Sequence, residues 1–437
     1  MPLPIFSSRL QCSSSSSSFP RPKRRIDPSL TLIPGLSNDV ARLILSFVPY
    51  PHISRLKSTC KSWYAFLSSK TLISLRHSRR DNTDGENNNN LSHLLCIFPQ
   101  DPSISPPFLF DPVTLSWKPL PLLPCNPHVY GLCNFVAVAI GPCVYVLGGS
   151  AFDTRSYPLD VPLPTSTVFR YSFVKSIWER LSPMLSPRGS FACAAVTGLS
   201  NNRIIVAGGG SRHTLFGAAG SRMSSVEMYD VEKDEWREMD ELPRFRAGCV
   251  GFLVGNEKEK EKEREFWVMG GYGRSRTVSG ILPVDEYYRD AAVMDLSGEK
   301  WRLVGDMWGE EERPKLGKIV AVDCGIKPVF FMLDKDRILR YEIGSNRWRR
   351  ESSVPKKALY DEPVGFVALN GELHVMILLD GYNLMDTRGG TRQHRNAGSL
   401  MIHIYDPKKK TWRSVVTKPP FNHQLDLRTT VMCTIRL

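Results

Sequence analysis

Three segments of this chain end in the same way, with apolar residues followed by a pair of glycines. They are VYVLGG, IIVAGG and FWVMGG, which end at Gly149, Gly209 and Gly271. Each is followed by a β-hairpin pattern that closes on a tryptophan, and three related but degenerate hairpins occur elsewhere. The closing tryptophans are Trp117, Trp178, Trp236, Trp301, Trp348 and Trp412, at intervals of 47 to 65 residues. This recurrence predicts a repeat architecture, which restricts the possible folds more than composition does.

Each complete unit is predicted to contain four strands: an apolar strand such as FACAAV, the glycine-terminated strand, and the two arms of the hairpin. Four-stranded sheets repeated around an axis form a β-propeller, in which each sheet buries its faces against its neighbours. The sequence therefore predicts a mainly β fold over residues 91–437, with six blades favoured.

The two ends of the repeat region complement each other. The first unit has LLCIF, FLFDP and LSWKPL but no first strand, whereas TTVMCTIRL, from Thr429 to Leu437, is an apolar strand with no unit of its own. If the last strand completes the first blade, the ring closes and exposed sheet edges disappear. We therefore expect the propeller to be closed by the C-terminal strand.

The region before the repeats, residues 31–80, has helical periodicity. Ser37 or Asn38 can cap a first helix, whose apolar stripe is Val40, Leu43, Ile44, Phe47 and Val48. A second stripe, Ile53, Leu56, Cys60, Trp63 and Leu67, predicts one continuous second helix, and a third short helix is expected from Thr71 to Arg76. A helical unit of this size is too small to bury so many apolar side chains alone, so we expect it to bind a partner.

Two polar segments flank the helical unit. Residues 1–30 include six consecutive serines and a basic cluster, a composition that predicts a disordered tail and, less favourably, a plastid-targeting segment. Residues 81–90, DNTDGENNNN, are Asn-rich and are predicted to be a linker.

Composition argues against several classes of protein. The chain has 437 residues, of which 42% are hydrophobic, and no apolar run is long enough for a membrane span. The net charge is +13, but residues 81–437 carry only +2 of it, so a nucleic-acid partner is not expected. The ten cysteines and nine histidines are dispersed without metal-ligand spacing, which predicts no metal, no cofactor and a cytoplasmic or nuclear protein with reduced thiols.

LIPGLSNDVARLILSFVPYPHISRLKSTCKSWYAFLSSKTLISLR, from Leu32 to Arg76, resembles the F-box, and the GG, YD and W units resemble kelch repeats. The order of the two is similar to that of the F-box/kelch-repeat proteins of plants. The chain departs from the family at Ser37, where Pro is usual, and in the fifth and sixth units, where MLD and LLD replace the glycine pair.

The resemblance implies a noncatalytic substrate-recognition subunit of a Skp-cullin-F-box ubiquitin ligase. The F-box would bind a Skp-type adaptor, and through it a cullin RING ligase, while the propeller would bind a target protein. An alternative is a kelch scaffold that does not direct degradation. A copper oxidase, another kelch activity, is disfavoured because the sequence has no group of His, Tyr and Cys ligands.

Carried over by this resemblance, the expected adaptor-binding residues are Ile33, Pro34, Leu36, Val40, Ile44, Leu45, Val48, Leu56, Cys60 and Trp63. The competing interpretation is that several of them, Trp63 and Leu56 above all, belong to the core of the helical unit.

A second site is expected where long loops meet on one face of the propeller, since loops between second and third strands lie beside those between blades. Arginines recur there and can bind carboxylates or phosphates through paired hydrogen bonds. The alternative is that these arginines are ordinary solvent-exposed loop residues that bind no ligand. The expected substrate-binding residues are Arg188, Arg212, Arg222, Arg246, Arg274, Arg276, Arg388 and Arg392.

Overall fold

A computed structural model describes most of the helical unit and of the repeat region. The predicted tail and linker lie outside the described residues. The described residues are 31–78, 92–99, 105–156, 162–198, 201–210, 222–255, 264–278, 282–297, 300–307, 317–323, 328–355, 364–379, 398–420, 426–427 and 430–437.

The helical unit contains four short helices. They are α1 (Asn38–Ser46), α2 (Tyr50–Lys57), α3 (Lys61–Leu67) and α4 (Lys70–Ser78). The hydroxyl of Ser37 accepts a hydrogen bond from the amide of Val40 at 3.5 Å, so Ser37 caps α1 as expected.

The predicted continuous second helix is instead divided into α2 and α3, which corrects that expectation. Cys60 lies between them with an extended backbone, at φ −156°. The Ser58 hydroxyl donates to the carbonyl of Arg55 at 2.6 Å, a local bond of the kind that competes with helix continuation. The unit's core is formed by Leu32, Ala41, Leu45, Ile53, Phe66, Leu67 and Leu72.

The strands are numbered in chain order. Those of the first two repeats are β1 (His93–Phe98), β2 (Phe108–Asp111), β3 (Ser116–Pro119), β4 (Val129–Cys133), β5 (Val136–Ile140), β6 (Cys143–Leu147), β7 (Ser150–Asp153), β8 (Leu163–Pro164), β9 (Val168–Ser172) and β10 (Ile177–Leu181). The third and fourth repeats contribute β11 (Ala192–Val196), β12 (Arg203–Ala207), β13 (Val226–Asp230), β14 (Glu235–Met239), β15 (Val250–Val254), β16 (Glu265–Met269), β17 (Tyr272–Val278), β18 (Leu282–Tyr287), β19 (Ala291–Asp295) and β20 (Trp301–Val304). The remaining strands are β21 (Lys318–Asp323), β22 (Pro328–Asp334), β23 (Arg337–Glu342), β24 (Arg347–Ser353), β25 (Val364–Leu369), β26 (Glu372–Leu379), β27 (Ser399–Asp406), β28 (Thr411–Thr417) and β29 (Val431–Arg436).

Within the described residues the strands form six antiparallel four-stranded sheets, which are blades 1 to 6 of a propeller. The sheets are β29-β1-β2-β3, β5-β6-β9-β10, β11-β12-β13-β14, β15-β16-β19-β20, β21-β22-β23-β24 and β25-β26-β27-β28. The mainly β fold with a preceding helical unit is confirmed.

Apolar clusters join each blade to the next. Leu109 of blade 1 and Phe169 of blade 2 share one cluster, and the series continues around the ring. The last cluster joins Ile402 and Ile404 of blade 6 to Leu95 of blade 1. The blades therefore form a continuous ring rather than an open array.

Several of the closing tryptophans donate hydrogen bonds to the preceding blade. The indole N–H of Trp178 donates to the carbonyl of Pro121 at 2.9 Å, and that of Trp236 to the carbonyl of Ser182 at 2.9 Å. Trp117 donates to the hydroxyl of Thr417 in blade 6 at 3.0 Å. The repeated tryptophan thus links neighbouring blades, including the last to the first.

The last strand completes blade 1. β29 pairs with β1 over six residue pairs, from His93–Arg436 to Phe98–Val431. The pairing extends by one residue, because Ser92 and Leu437 exchange backbone hydrogen bonds of 2.8 and 3.0 Å. This is the pairing that the missing first strand of the first repeat predicts.

The alternation of strand direction gives the ring two different faces. The loop face carries the connections between blades and those between second and third strands; the turn face carries the remaining turns. Two of the long connections on the loop face were expected to be loops but contain strands. β4, β7 and β8 form a small sheet beside blade 2, and β17 and β18 form a ribbon beside blade 4.

Candidate functional sites

The first α-helix presents apolar side chains to solvent. Their positions follow the i, i+3, i+4, i+7 spacing of one helix face. The side chains are 40% to 52% exposed although the helix also contributes to the core. We call this surface the apolar face; it consists of Leu36, Val40, Leu43, Ile44 and Phe47.

The structure separates the ten expected adaptor-binding residues into two groups. Pro34, Leu36, Val40, Ile44 and Cys60 are exposed, and Val48 is half-buried. Leu45 is 2% exposed and lies in the core, so the structure favours the core interpretation over adaptor contact for this residue.

Three further members of the set pack inside the helical unit. Ile33, Leu56 and Trp63 lie against its core. The Trp63 indole also donates to the carbonyl of Leu32 at 2.6 Å. These side chains therefore belong to the packing of the helical unit and not to the apolar face. Leu43 and Phe47, which the expected set omits, belong to the apolar face, and their place in the helical stripe was the signal for including them.

The helical unit packs on the turn face of the ring. The Tyr50 ring lies edge-on to Phe173, which follows β9, with 5.8 Å between ring centroids. The Tyr50 amide donates to the Ser92 hydroxyl at 3.3 Å, and burial raises the pKa of the Tyr50 phenol. The Lys118 ammonium is 5.4 Å from the centre of the same ring. The unit therefore contacts blades 1 and 2, on the side opposite the loop face.

Arg188 and Arg246, two expected substrate-binding residues, are 0% exposed. The Arg188 guanidinium donates to the carbonyls of Gly208 and Ser225, both at 2.9 Å, and to the buried carboxylate of Glu227. Leu185 and Ser186 amides also donate to this carboxylate, at 2.8 and 3.0 Å. Burial lowers the pKa of Arg188.

Arg246 repeats this arrangement one blade later. Its guanidinium donates to the carbonyl of Gly270 and to the carboxylate of Asp290, each at 2.7 Å. The backbone carbonyl of Arg246 accepts a bond from the amide of Gly209 at 2.7 Å. Each arginine thus links two consecutive blades, and neither has side-chain surface with which to contact a ligand. We therefore remove both from the substrate-binding set.

The contacts that Arg188 and Arg246 make between blades also require the glycine pairs. Gly208 has a φ of +66°, and a Cβ atom there would lie 2.4 Å from the carbonyl oxygen of Arg246. Gly148 has a φ of +56°, and its Cβ would lie 2.5 Å from the carbonyl oxygen of Arg188. Both the left-handed backbone and the close approach exclude other residues.

Three of the other expected arginines lie in described parts of the loop face. Arg222 is largely buried and forms an ion pair of 2.7 Å with Asp285. Arg274 and Arg276 lie on β17, and Arg274 is opposite Glu286 in the register with β18. Acidic residues therefore lie beside this part of the arginine set. The others, Arg212, Arg388 and Arg392, lie outside the described residues.

The described part of the chain contains no group of three or more His, Cys, Asp or Glu residues able to hold a metal ion. Among the same residues, no helix has the length and apolar character needed to cross a membrane.

Comparison with known proteins places these two regions in known families. The F-box domain model matches residues 33–75, and the Kelch motif model matches residues 131–185 and 192–243. The chain is 87% identical to F-box/kelch-repeat protein OR23 of Arabidopsis thaliana, over 100% of both chains. It belongs to the F-box/kelch-repeat proteins.

More distant relatives are similar to this F-box/kelch-repeat protein over only part of its sequence. F-box/kelch-repeat protein SKIP30 of Arabidopsis thaliana is 31% identical over 52% of this chain and 59% of its own length. Kelch-like protein 34 of Homo sapiens is 29% identical over 64% of this chain and 38% of its own. The combination of an F-box with kelch repeats indicates a substrate adaptor, with the apolar face and the loop face as its two candidate binding surfaces.

Proposed function

We propose that this F-box/kelch-repeat protein is the substrate-recognition subunit of a Skp-cullin-F-box ubiquitin ligase. The observation that carries the proposal is the apolar face of the helical unit. In this role the F-box binds a Skp-type adaptor, which connects it to a cullin RING ligase, and the propeller binds the target. The chain itself performs no catalysis.

The apolar face has the form of a helix that docks in a groove of a partner. Val40, Leu43, Ile44 and Phe47 are spaced as anchors on one side of α1, and Leu36 extends the surface at its N-terminal end. Recognition of an amphipathic helix by an apolar groove uses this spacing. Leaving five large apolar side chains in water is unfavourable, and covering them gives the adaptor complex its driving force.

The loop face is the proposed substrate surface. It retains Arg212, Arg222, Arg274, Arg276, Arg388 and Arg392 as candidates for contact with an acidic or phosphorylated segment of the target. The contacts of Tyr50 support this assignment, because they place the helical unit on the opposite face of the ring. Adaptor and target can therefore bind simultaneously.

We also propose that the protein acts in the cytoplasm or the nucleus. The eight cysteines described by the structure form no disulfide with one another, which is typical of proteins in reducing compartments.

Replacing Leu36 and Ile44 together with Glu is expected to abolish adaptor binding. Each change places a charge where an apolar anchor is buried in the complex, and anchors of this kind contribute about 2 kcal/mol or more each. We expect the affinity for a purified Skp-type adaptor to fall at least about 100-fold in biolayer interferometry.

The matched control carries Glu at Ile343 and Val416, which are also exposed apolar residues but lie on the ring. Circular dichroism should show both variants folded. Undiminished adaptor binding by the Leu36/Ile44 variant would refute the proposal.

Degradation of the target distinguishes a ligase subunit from a scaffold. We expect proximity labelling by the protein to recover proteins that accumulate when the proteasome is inhibited. Changing Arg274 and Arg276 to Ala should reduce their recovery while adaptor labelling persists. Labelled proteins whose amounts do not respond to the inhibitor would favour the scaffold alternative.

A further inference from the structure

A cleft of about 790 Å³ lies between the helical unit and blades 1 and 2. Its size is within the range of small-molecule sites in proteins. Its walls come from α2, from α3 and the residues that directly follow these two helices, from β3, and from the turn between β9 and β10. Three lysines line it, and none of the lining residues is acidic.

The lysines converge from both parts of the chain. Lys57 ends α2, Lys118 lies on β3, and Lys175 lies in the β9–β10 turn. Burial lowers the pKa of Lys57, and the charge of Lys118 lowers it further. Burial also lowers the pKa of Lys118, and no carboxylate raises the pKa of either group. Two ammonium groups therefore repel each other across a partly desolvated cleft.

The third lysine is partly neutralised. Lys175 forms an ion pair of 2.7 Å with Glu179, but its side chain remains half exposed. Ser68 and Ser176 add hydroxyl groups to the lining, and Ile53 and Ile177 add apolar surface. Phosphate oxygens accept hydrogen bonds from ammonium and hydroxyl groups. The apolar wall suits the body of a small organic molecule.

We propose that this cleft binds a small phosphorylated molecule whose phosphate lies between Lys57 and Lys118. The ligand relieves the repulsion between the two ammonium groups. Because one lysine belongs to the F-box and the other to the propeller, the bound molecule also fixes the F-box relative to the ring. This inference does not depend on adaptor binding.

The test uses the purified full-length chain with pyrophosphate and ATP as probes. We expect isothermal titration calorimetry to detect binding of at least one of them. Changing Lys57 and Lys118 together to Gln should weaken that binding about tenfold or more, since two charge-assisted contacts are lost. Changing both to Arg should retain it. Binding of ATP alone indicates a nucleotide, and binding of both indicates a site for the phosphate groups themselves.

The matched control carries Gln at Lys233 and Lys408, two exposed lysines in turns of blades 3 and 6. It loses the same charge and should bind the probe normally. Thermal unfolding and circular dichroism without ligand establish that the Lys57/Lys118 variant is folded. The proposal is overturned if neither probe binds at millimolar concentration, or if this variant binds no more weakly than the control.

Discussion

Removal of residues 430–437 is expected to destabilise the propeller by several kcal/mol, a large part of the stability of an ordinary domain. The deletion removes β29 and with it six residue pairs to β1. Cys433, Ile435 and Leu437 are also lost from the core between blades 1 and 2. Burial of one such Ile or Leu side chain contributes about 1.5–3 kcal/mol. Differential scanning calorimetry should show a much lower melting temperature, or no cooperative transition.

Single changes within β29 provide a matched comparison. Ile435 is buried and Thr434, its neighbour, is exposed. Asp at position 435 should reproduce most of the effect of the deletion, because it buries an unpaired charge, whereas Asp at position 434 should change stability by less than about 1 kcal/mol. The deletion also exposes the hydrogen-bonding edge of β1, so the truncated chain should associate at high concentration. A truncated protein that melts within a degree or two of the full chain would contradict closure by β29.

Arg188→Ala is expected to cost about 3–5 kcal/mol of unfolding free energy, because it leaves a buried carboxylate without its counter-ion. Glu227 is 1% exposed, and the amides of Leu185 and Ser186 alone would then hold its charge. The change also removes the hydrogen bonds from Arg188 to the Gly208 and Ser225 carbonyls. Urea unfolding followed by tryptophan fluorescence measures the loss.

The control for this prediction is the same Arg-to-Ala substitution in a solvent-exposed ion pair. Arg349 pairs with Glu342 at 2.8 Å, and the Arg349 side chain is 64% exposed. Arg349→Ala should cost less than about 1 kcal/mol, as is usual for surface ion pairs. Equal effects of the two changes would mean that the Arg188 pair does not stabilise the ring.

The sequence predicted the blades well because the repeat is local. The glycine pair, the hairpin and the closing tryptophan lie within one unit, so each unit carries its own four-strand pattern. The exception was the first unit, and the unpaired strand from Thr429 to Leu437 resolved it.

The burial of Arg188 and Arg246 could not be inferred from loop composition, but spacing contained a signal. These arginines are 58 residues apart, as are Trp178 and Trp236. A residue that recurs at the repeat interval more often has the same structural role in each blade than a role in ligand binding. A bound ligand contacts the blades unequally, so its binding residues need not recur at that interval. The partner carboxylates, Glu227 and Asp290, follow the glycine pairs of the next blades.

No local sequence pattern predicts the contact between the helical unit and the ring. Tyr50 and Phe173 are separated by more than a hundred residues, and neither lies in a pattern that specifies the other. The cleft with Lys57 and Lys118 was missed for the same reason, because it exists only once the two regions pack together.

The pairing of the first and last strands also sets the order of events during synthesis. His93 and Arg436 are 343 residues apart, so at about 5–20 residues per second β1 waits roughly 17–70 s for its partner to be translated. Blades 2 to 6 have all their strands before then, but blade 1 remains incomplete with an open edge. Ring closure is therefore a late step of high contact order, and blade 1 keeps an open edge until β29 has been synthesised.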